Sequence, residues 1–132
     1  MQYVDEEAVI TAWLPTAVTP APRVGTATPA DPKGTLAWVQ SGFVRVQRVG
    51  GPGYLGIDRP RLVVECFGVD YASAKALASK VRLAFETQLI GHTDTTGTVL
   101  VAQTDSGPSW APYDDVRVQR FVATYSLVTH GR

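Results

Sequence analysis

Apolar residues recur along the chain with two different spacings, and the change between them predicts the order of its elements. Between residues 70 and 90 they fall three or four positions apart, which is the spacing of one buried helix face. That face consists of Ala74, Leu77, Ala78, Val81, Phe85 and Leu89. Asp70 suits a helix N-cap, and Gly91 suits a C-terminal cap. The pattern predicts one long helix in the second half of the chain.

Four other segments alternate apolar and polar residues or form short apolar runs, as strands do. They are residues 36–49, 62–67, 98–104 and 116–129. The glycine-rich residues 50–53 separate the first two segments, which therefore predict a hairpin with a long tip. Residues 105–114 contain Gly107, Pro108 and Pro112 and predict a turn before the last strand.

A shorter helix is predicted near the N-terminus, where Asp5 can cap it and Pro15 is expected to end it. A helix of only about three turns is not stable alone, so its apolar residues must pack against the sheet. Residues 15–34 are rich in Pro, Thr, Ala and Gly, which predicts an extended arm with a short strand around residues 23–28. The arm is either a flexible surface loop or a segment that orders when a neighbour binds.

Together these elements predict an α+β fold with a single, mostly antiparallel sheet of about four strands and two helices packed on one face. The expected order is α-β-β-α-β-β, in one domain over residues 1–132, because 132 residues with 45% hydrophobic content suit one core. The last strand carries apolar side chains on both faces, and two helices cover only one of them. The second face is expected to be covered either by sister copies or by the arm folding back.

Charge and cysteine content exclude several classes of protein. Twelve basic residues balance twelve acidic ones, which gives no global support for sequence-independent binding of nucleic acid. Cys66 is the one cysteine, so an internal disulfide is excluded and a buried thiol is expected. No apolar run approaches the roughly 18 residues of a membrane span, and the N-terminus lacks the basic region of a signal peptide. We expect no membrane association and no export.

The side chains needed for catalysis are scarce. The two histidines, His92 and His130, lie beside a helix-ending glycine and near the end of the chain. No His or Cys pair has the spacing of metal ligands, and the adjacent Asp114 and Asp115 suit a turn better than a metal site. The glycine-rich tip lacks the Lys-Ser/Thr of a phosphate loop. We therefore expect no catalytic residue, no cofactor, no metal and no enzymatic activity.

Several segments of the chain together form a recognisable pattern. They are VRVQRVGG at residues 44–51, DRPRLVVECFG at residues 58–68 and the alanine-rich helix that follows, and then PYDD at residues 112–115 and RFVATYSL at residues 120–127. In these segments the chain resembles the tail terminator proteins of long-tailed bacteriophages, and the last two look like the closing strand of that family. The resemblance spans nearly the whole chain except the proline-rich arm and the tip near Tyr54.

The resemblance implies a small α+β subunit of the virion that forms a hexameric ring on the head-proximal end of the tail tube. Such a ring ends polymerisation of the tube protein, contacts the head completion proteins and lets DNA pass without sequence-specific binding. It implies assembly in the bacterial host cytoplasm and a final place in the neck of the particle. The alternatives are another neck or head-closure protein of the same particle, and a small-molecule-binding enzyme subunit.

Several residues are candidates for the interfaces of such a ring. Arginine suits fixed contacts with carboxylates, and the arginines cluster on predicted strands or at their ends, where copies of one arginine could also line a channel. The tip and the loop around the third tryptophan are expected to reach toward neighbouring rings. The candidate interface residues are Arg45, Arg48, Gly51, Tyr54, Trp110, Arg120 and Tyr125.

Overall fold

The computed structural model describes residues 2–132 as two helices and one seven-stranded sheet. The helices are α1, Glu6–Ala17, and α2, Tyr71–Thr87, and a short 3-10 helix spans Ala37–Val39. The strands are β1, Arg23–Gly25; β2, Phe43–Gly50; β3, Gly53–Tyr54; β4, Ile57–Asp58; β5, Arg61–Gly68; β6, Gly97–Trp110; and β7, Gln119–Gly131. Neither helix of the described chain is long and apolar enough to cross a membrane.

The long strand β7 occupies the centre of the sheet. Along one side it pairs with β6, and along the other side it pairs first with β5 and then with β4. β2 follows beyond β5, and β3 follows beyond β4. The outermost strand, β1, pairs with β2 in parallel, whereas every other pairing is antiparallel. The sheet is therefore mixed.

The prediction of a mostly antiparallel sheet of about four strands in the order α-β-β-α-β-β is wrong. The sheet has seven strands and is mixed, because three short strands join the four long ones. β1 forms within the proline-rich arm, and β3 and β4 form within the tip that separates β2 from β5. β1 confirms the short strand predicted around residues 23–28 of the arm, which the predicted count of four did not include. β3 and β4 have two residues each and are too short for an alternating pattern, so periodicity in the sequence did not reveal them.

Two proline-containing segments also differ from their prediction. α1 continues through Pro15 to Ala17, and the backbone N–H of Val18 donates to the Leu14 carbonyl to close its last turn. The predicted turn over residues 105–114 is largely strand, because β6 runs to Trp110. Register shifts between Thr104 and Ser109 absorb the glycine and proline there, as β-bulges do.

α1 and α2 pack on one face of the sheet and form the main core. Phe85 of α2 stacks on Tyr125 of β7 at 4.3 Å between ring centroids, and Trp13 of α1 meets Phe85 edge-on at 5.8 Å. α2 begins directly against the end of β5, since a Cβ on Gly68 would lie 2.7 Å from the Ala74 nitrogen. The glycine at this position allows the helix to lie close to the sheet.

The opposite face, here called the far face, is covered at one end only. A second apolar cluster covers that end, formed by Trp38, Val39, Phe43, Phe67 and Val118, with Leu36 and Tyr113 at its margin. Phe43 and Phe67 belong to β2 and β5, and the residues that cover them come from the 3-10 helix and from the connection between β6 and β7. The arm lies beside β2, where its Thr26 carbonyl accepts a hydrogen bond from Gln47.

The rest of the far face, here called the open half, has no layer of this chain packed across it. It consists of Gln47, Arg61, Val63, Val101, Gln103, Val122, Thr124, Ser126 and Val128, as the strand registers place them. Most of these side chains are half-buried by their neighbours in the sheet, while Val101 is 43% exposed. The open half combines valines with uncharged polar residues and one arginine.

Candidate interaction surface

Arg45 and Arg120 bind one buried carboxylate on the far face. Glu65 is 5% exposed, and its Oε1 accepts from Arg45 while its Oε2 accepts from Arg120 at 3.2 Å. These three side chains come from the neighbouring strands β2, β5 and β7. Arg120 also donates to the Pro112 carbonyl and lies over the Tyr113 ring at 5.5 Å. The two guanidiniums compensate the cost of burying Glu65, so they are structural within the subunit.

Arg48 is the centre of a second ion cluster, at the edge of the helix-covered face. Its guanidinium binds both oxygens of Asp58 and lies 3.3 Å from Glu6, and both carboxylates are buried. Its backbone N–H donates to Glu7 at 2.8 Å. Desolvation by burial raises the pKa of the Glu6 carboxyl above its usual value. The cluster ties α1 to β2 and to the tip.

The three arginines proposed for interface or channel contacts therefore already have partners in their own chain. Arg45 and Arg120 share Glu65, and Arg48 binds Glu6 and Asp58. Their side chains remain 22–30% exposed, so part of each guanidinium still faces solvent. The sequence did not reveal these pairs, because they depend on the register between strands that are far apart in the chain.

Gly51 and Tyr54 lie in the tip between β2 and β5. Gly51 has a φ of +108°, and a Cβ there would lie 2.0 Å from the Arg59 carbonyl oxygen, so only glycine fits. Its carbonyl accepts a hydrogen bond from Arg48 at 2.9 Å. Tyr54 is 72% exposed on β3. Gly51 shapes the tip, and Tyr54 presents an aromatic ring to solvent.

Trp110 and Tyr125 lie in contrasting environments. Trp110 ends β6, is 49% exposed and donates its indole N–H to the Gln119 side chain at 2.9 Å. Tyr125 is 1% exposed and faces the helices, and burial raises the pKa of its hydroxyl. That hydroxyl has no hydrogen-bond partner among the described residues. The structure therefore places Trp110 on the surface and Tyr125 in the core.

The two exposed aromatic side chains proposed for interface contacts, Tyr54 and Trp110, lie at opposite ends of the sheet. Trp110 pairs with Phe121 at the start of β7, whereas Tyr54 pairs with Ile57, which pairs with His130 near its end. At roughly 3.3 Å per residue these positions on β7 are about 30 Å apart. One subunit can therefore present an aromatic contact at each end.

A groove on the open half contains two further arginines, Arg59 and Arg61. The groove has a volume of about 250 Å³ and runs between the tip and two valines, the exposed Val101 of β6 and the half-buried Val128 of β7. Both arginine side chains are exposed, and neither donates a hydrogen bond to a residue between 2 and 132. In the sequence, Arg59 and Arg61 look like the other arginines at the ends of predicted strands. No pattern in the sequence distinguishes arginines that have a carboxylate partner from arginines that have none.

In the described part of the chain no three His, Cys, Asp or Glu side chains are placed to hold a metal ion. Cys66 is buried in β5, and desolvation raises the pKa of its thiol. What the surface offers is apolar contact, hydrogen bonds and two uncompensated guanidiniums. No protein-family model matches the chain, and no curated protein matches it in sequence.

Proposed function

We propose that this protein is a structural subunit that assembles with copies of itself into a ring, six-membered by resemblance, at the end of a bacteriophage tail tube. The observation that carries the proposal is the open half of the far face. On the other face of the sheet α1 and α2 form the main core. The open half begins where the second apolar cluster ends, and no layer of this chain packs across it. A second copy packed there would remove half-exposed valines from water.

The composition of the open half suits a contact between subunits. Val63, Val101, Val122 and Val128 provide apolar area, and burying apolar surface contributes about 25 cal/mol per Å². Polar side chains between and around them can form hydrogen bonds across an interface, as the rims of protein interfaces do. A stable contact buries on the order of 800 Å² on each partner, so adjoining surfaces must take part as well.

The edges of the sheet are suitable adjoining surfaces. β6 lies at an edge, because β7 is the one strand with which it pairs in residues 2–132. Leu100 and Val101 on β6 are 46% and 43% exposed. An edge strand offers unpaired backbone groups to another chain. β7 itself lies in the middle of the sheet, so it would take part through its side chains on the far face.

In this proposal the ring acts by shape and contact, without chemistry. It binds the last layer of tube protein, leaves no surface on which the tube can continue, and presents its other side to head completion proteins. DNA passes through its centre without sequence-specific contacts. The proposed location is the neck of the virion, after assembly in the host cytoplasm.

Oligomeric state and shape provide the direct test. Native mass spectrometry and negative-stain electron microscopy of the purified protein are expected to show closed rings with a central opening wide enough for a DNA duplex. Val101→Glu places a charge in the open half at a residue that is 43% exposed, and it should convert rings to monomers without unfolding them. Leu83→Glu is the matched control, because Leu83 is an apolar residue on α2 that is 60% exposed.

Two results would contradict the proposal. One is a wild-type protein that remains monomeric up to millimolar concentration. The other is a Val101→Glu variant that assembles like the wild type and the Leu83→Glu control. Gold-labelled antibody on assembled particles supplies an independent measure, since the label is expected at the junction of head and tail and nowhere along the tail shaft.

A further inference from the structure

One carboxylate in the chain is unlike all the others. Every Asp and Glu side chain except Asp114 accepts at least one hydrogen bond from a described residue of this chain. Asp114 is exposed in the β6–β7 turn and has no such donor within residues 2–132. The folded subunit therefore uses its other carboxylates for its own structure and leaves this one available.

The Arg59–Arg61 groove has the opposite imbalance. Arg59 and Arg61 line it together, and their guanidiniums have no acceptor in the described chain. The floor of the groove includes Val101 and Val128, which are apolar, and Ser126, whose hydroxyl is bound to Asp105. Paired guanidiniums beside apolar side chains fit a ligand with one carboxylate and one apolar group close together.

The β6–β7 turn, residues 112–117, presents both of these groups. Val116 lies two residues from Asp114 and is 86% exposed, the largest exposed fraction among the large apolar side chains described. The turn is held in place from within, since Arg117 donates to the Asp115 carboxylate at 2.7 Å and Val118 N–H donates to the Asp115 carbonyl at 3.0 Å. A pre-organised turn loses little entropy when it binds.

A subunit cannot fill its own groove with its own turn. The turn leads directly into the start of β7 at Gln119, and the groove lies near the other end of β7 at Val128. These positions are about 30 Å apart, at roughly 3.3 Å per residue. The contact must therefore join two copies. Because it joins unlike surfaces, it is head-to-tail and can continue from copy to copy until a ring closes.

We propose that the β6–β7 turn of each subunit docks into the Arg59–Arg61 groove of the next subunit. The Asp114 carboxylate accepts hydrogen bonds from the guanidiniums of Arg59 and Arg61, and Val116 packs against Val101 and Val128. This inference rests on the proposed ring and names the contact that would hold it together. It also explains why these charges lack partners inside the subunit.

A charge-exchange experiment tests the docking. One variant carries Asp114→Arg, and the other carries Arg59→Asp together with Arg61→Asp. Each variant alone juxtaposes like charges, so each is expected to dissociate at least tenfold more readily than the wild type in analytical ultracentrifugation. In an equimolar mixture the wild-type groove of the first meets the wild-type turn of the second, and the two altered surfaces also match. The mixture should therefore form rings of alternating variants.

All substituted side chains are exposed, so each variant should keep the melting temperature of the wild-type monomer. Lys33→Asp and Lys75→Asp, exposed charge reversals outside the proposed contact, serve as controls and should assemble normally. If either variant alone formed rings like those of the wild type, the proposed docking would be overturned, while the proposed ring would still stand. Failure of the mixture to assemble from two dissociated variants would overturn it as well. A monomeric wild type would instead contradict the ring itself.

Discussion

The two faces of the sheet carry ion clusters with opposite stoichiometry. At the edge of the helix-covered face one arginine, Arg48, serves two buried carboxylates, Glu6 and Asp58. On the far face two arginines, Arg45 and Arg120, serve one buried carboxylate, Glu65. Arg45 and Arg48 lie three residues apart on β2, and side chains at odd separations on a strand point to opposite faces.

This difference determines which cluster tolerates the loss of a cation. If Arg48 is lost, two buried carboxylates lose their shared guanidinium. If Arg45 is lost, Glu65 keeps Arg120 at 3.2 Å. The cost of leaving a buried charge unpaired is larger than the net gain from forming a pair. The cluster on the far face can therefore lose one arginine while Glu65 stays paired. The cluster at the helix-covered face has no second arginine that could replace Arg48.

The largest expected effect is that of Arg48→Ala. We expect it to lower the free energy of unfolding by about 3–5 kcal/mol, as removal of one partner from a buried ion pair does. Arg45→Ala is the matched change on the other face of the same strand and should cost about 1–2 kcal/mol, because Glu65 stays paired. Urea titration followed by tryptophan fluorescence measures both. Equal losses would show that the two clusters do not differ in redundancy.

The redundancy itself can be measured by a double-mutant cycle on the far face. Arg120→Ala alone should cost about 1–2 kcal/mol, somewhat more than Arg45→Ala because the stacking on Tyr113 is also lost. The double variant should cost more than the sum of the two, since only then is Glu65 left without a cation. Additive losses would mean that the two arginines contribute independently and that neither compensates for the loss of the other.

The excess of carboxylate around Arg48 also predicts a dependence on pH. Burial raises the pKa of Glu6 in the folded state above its usual value of 4.5, so the folded state holds the proton more tightly than the unfolded chain. Its contribution to stability is full below pH 4.5 and is lost as the pH rises through the raised pKa. Glu6→Gln should remove this slope.

The measurement is the difference in free energy of unfolding between Glu6→Gln and the wild type, at several pH values from 4 to 8. Taking the difference removes the opposite slopes of the carboxylates whose pKa values are lowered, such as Asp94. The variant should gain relative to the wild type as the pH rises through the raised pKa. Asp5→Asn, at the neighbouring exposed N-cap, is the control. A flat difference curve would contradict the proposed effect of burial.

The parts of this arrangement that the sequence could predict are those encoded over long stretches. The pattern for α2 extends over several turns, and its predicted cap is confirmed, since Asp70 accepts from the Ser73 N–H at 2.7 Å. β1 was predicted only as a short strand within the arm, and it pairs with β2. β3 and β4 form a two-residue hairpin held in the sheet by β7, and they carry no periodic signal of their own. The strand count was wrong for that reason.

Some features of the candidate surface could likewise be predicted from the sequence, and others could not. The tip and the chain around Trp110 could be identified from glycine, proline and an isolated aromatic, and Tyr54 and Trp110 are indeed exposed. Which arginines are paired could not be predicted, because the Arg45–Glu65 pair depends on the register of β2 against β5. Alternation placed Tyr125 with Phe121 and Leu127 on one face of β7, but it did not say which face the helices cover.

The smallest expected effect concerns the core beneath the helices, where the Tyr125 hydroxyl and the Thr129 hydroxyl are buried without a hydrogen-bond partner among the described residues. The Tyr125 hydroxyl is buried and has no hydrogen-bond partner in the described chain, while its ring stacks on Phe85 at 4.3 Å. Tyr125→Phe keeps the stack and removes the unsatisfied group. It should therefore change the free energy of unfolding by no more than about 1 kcal/mol, in the stabilising direction.

Phe85→Ala, which removes the other ring of the stack, is the reference and should cost about 3–5 kcal/mol. Tyr125→Phe should also leave the oligomeric state unchanged, because Tyr125 faces the helices rather than the open half. A loss of more than 1 kcal/mol would mean that the hydroxyl is bonded in solution, and a change in assembly would place Tyr125 at an interface after all. Stabilisation without a change in assembly would show that the ring of residue 125 packs beneath the helices by apolar contact alone and takes no part in contacts between subunits.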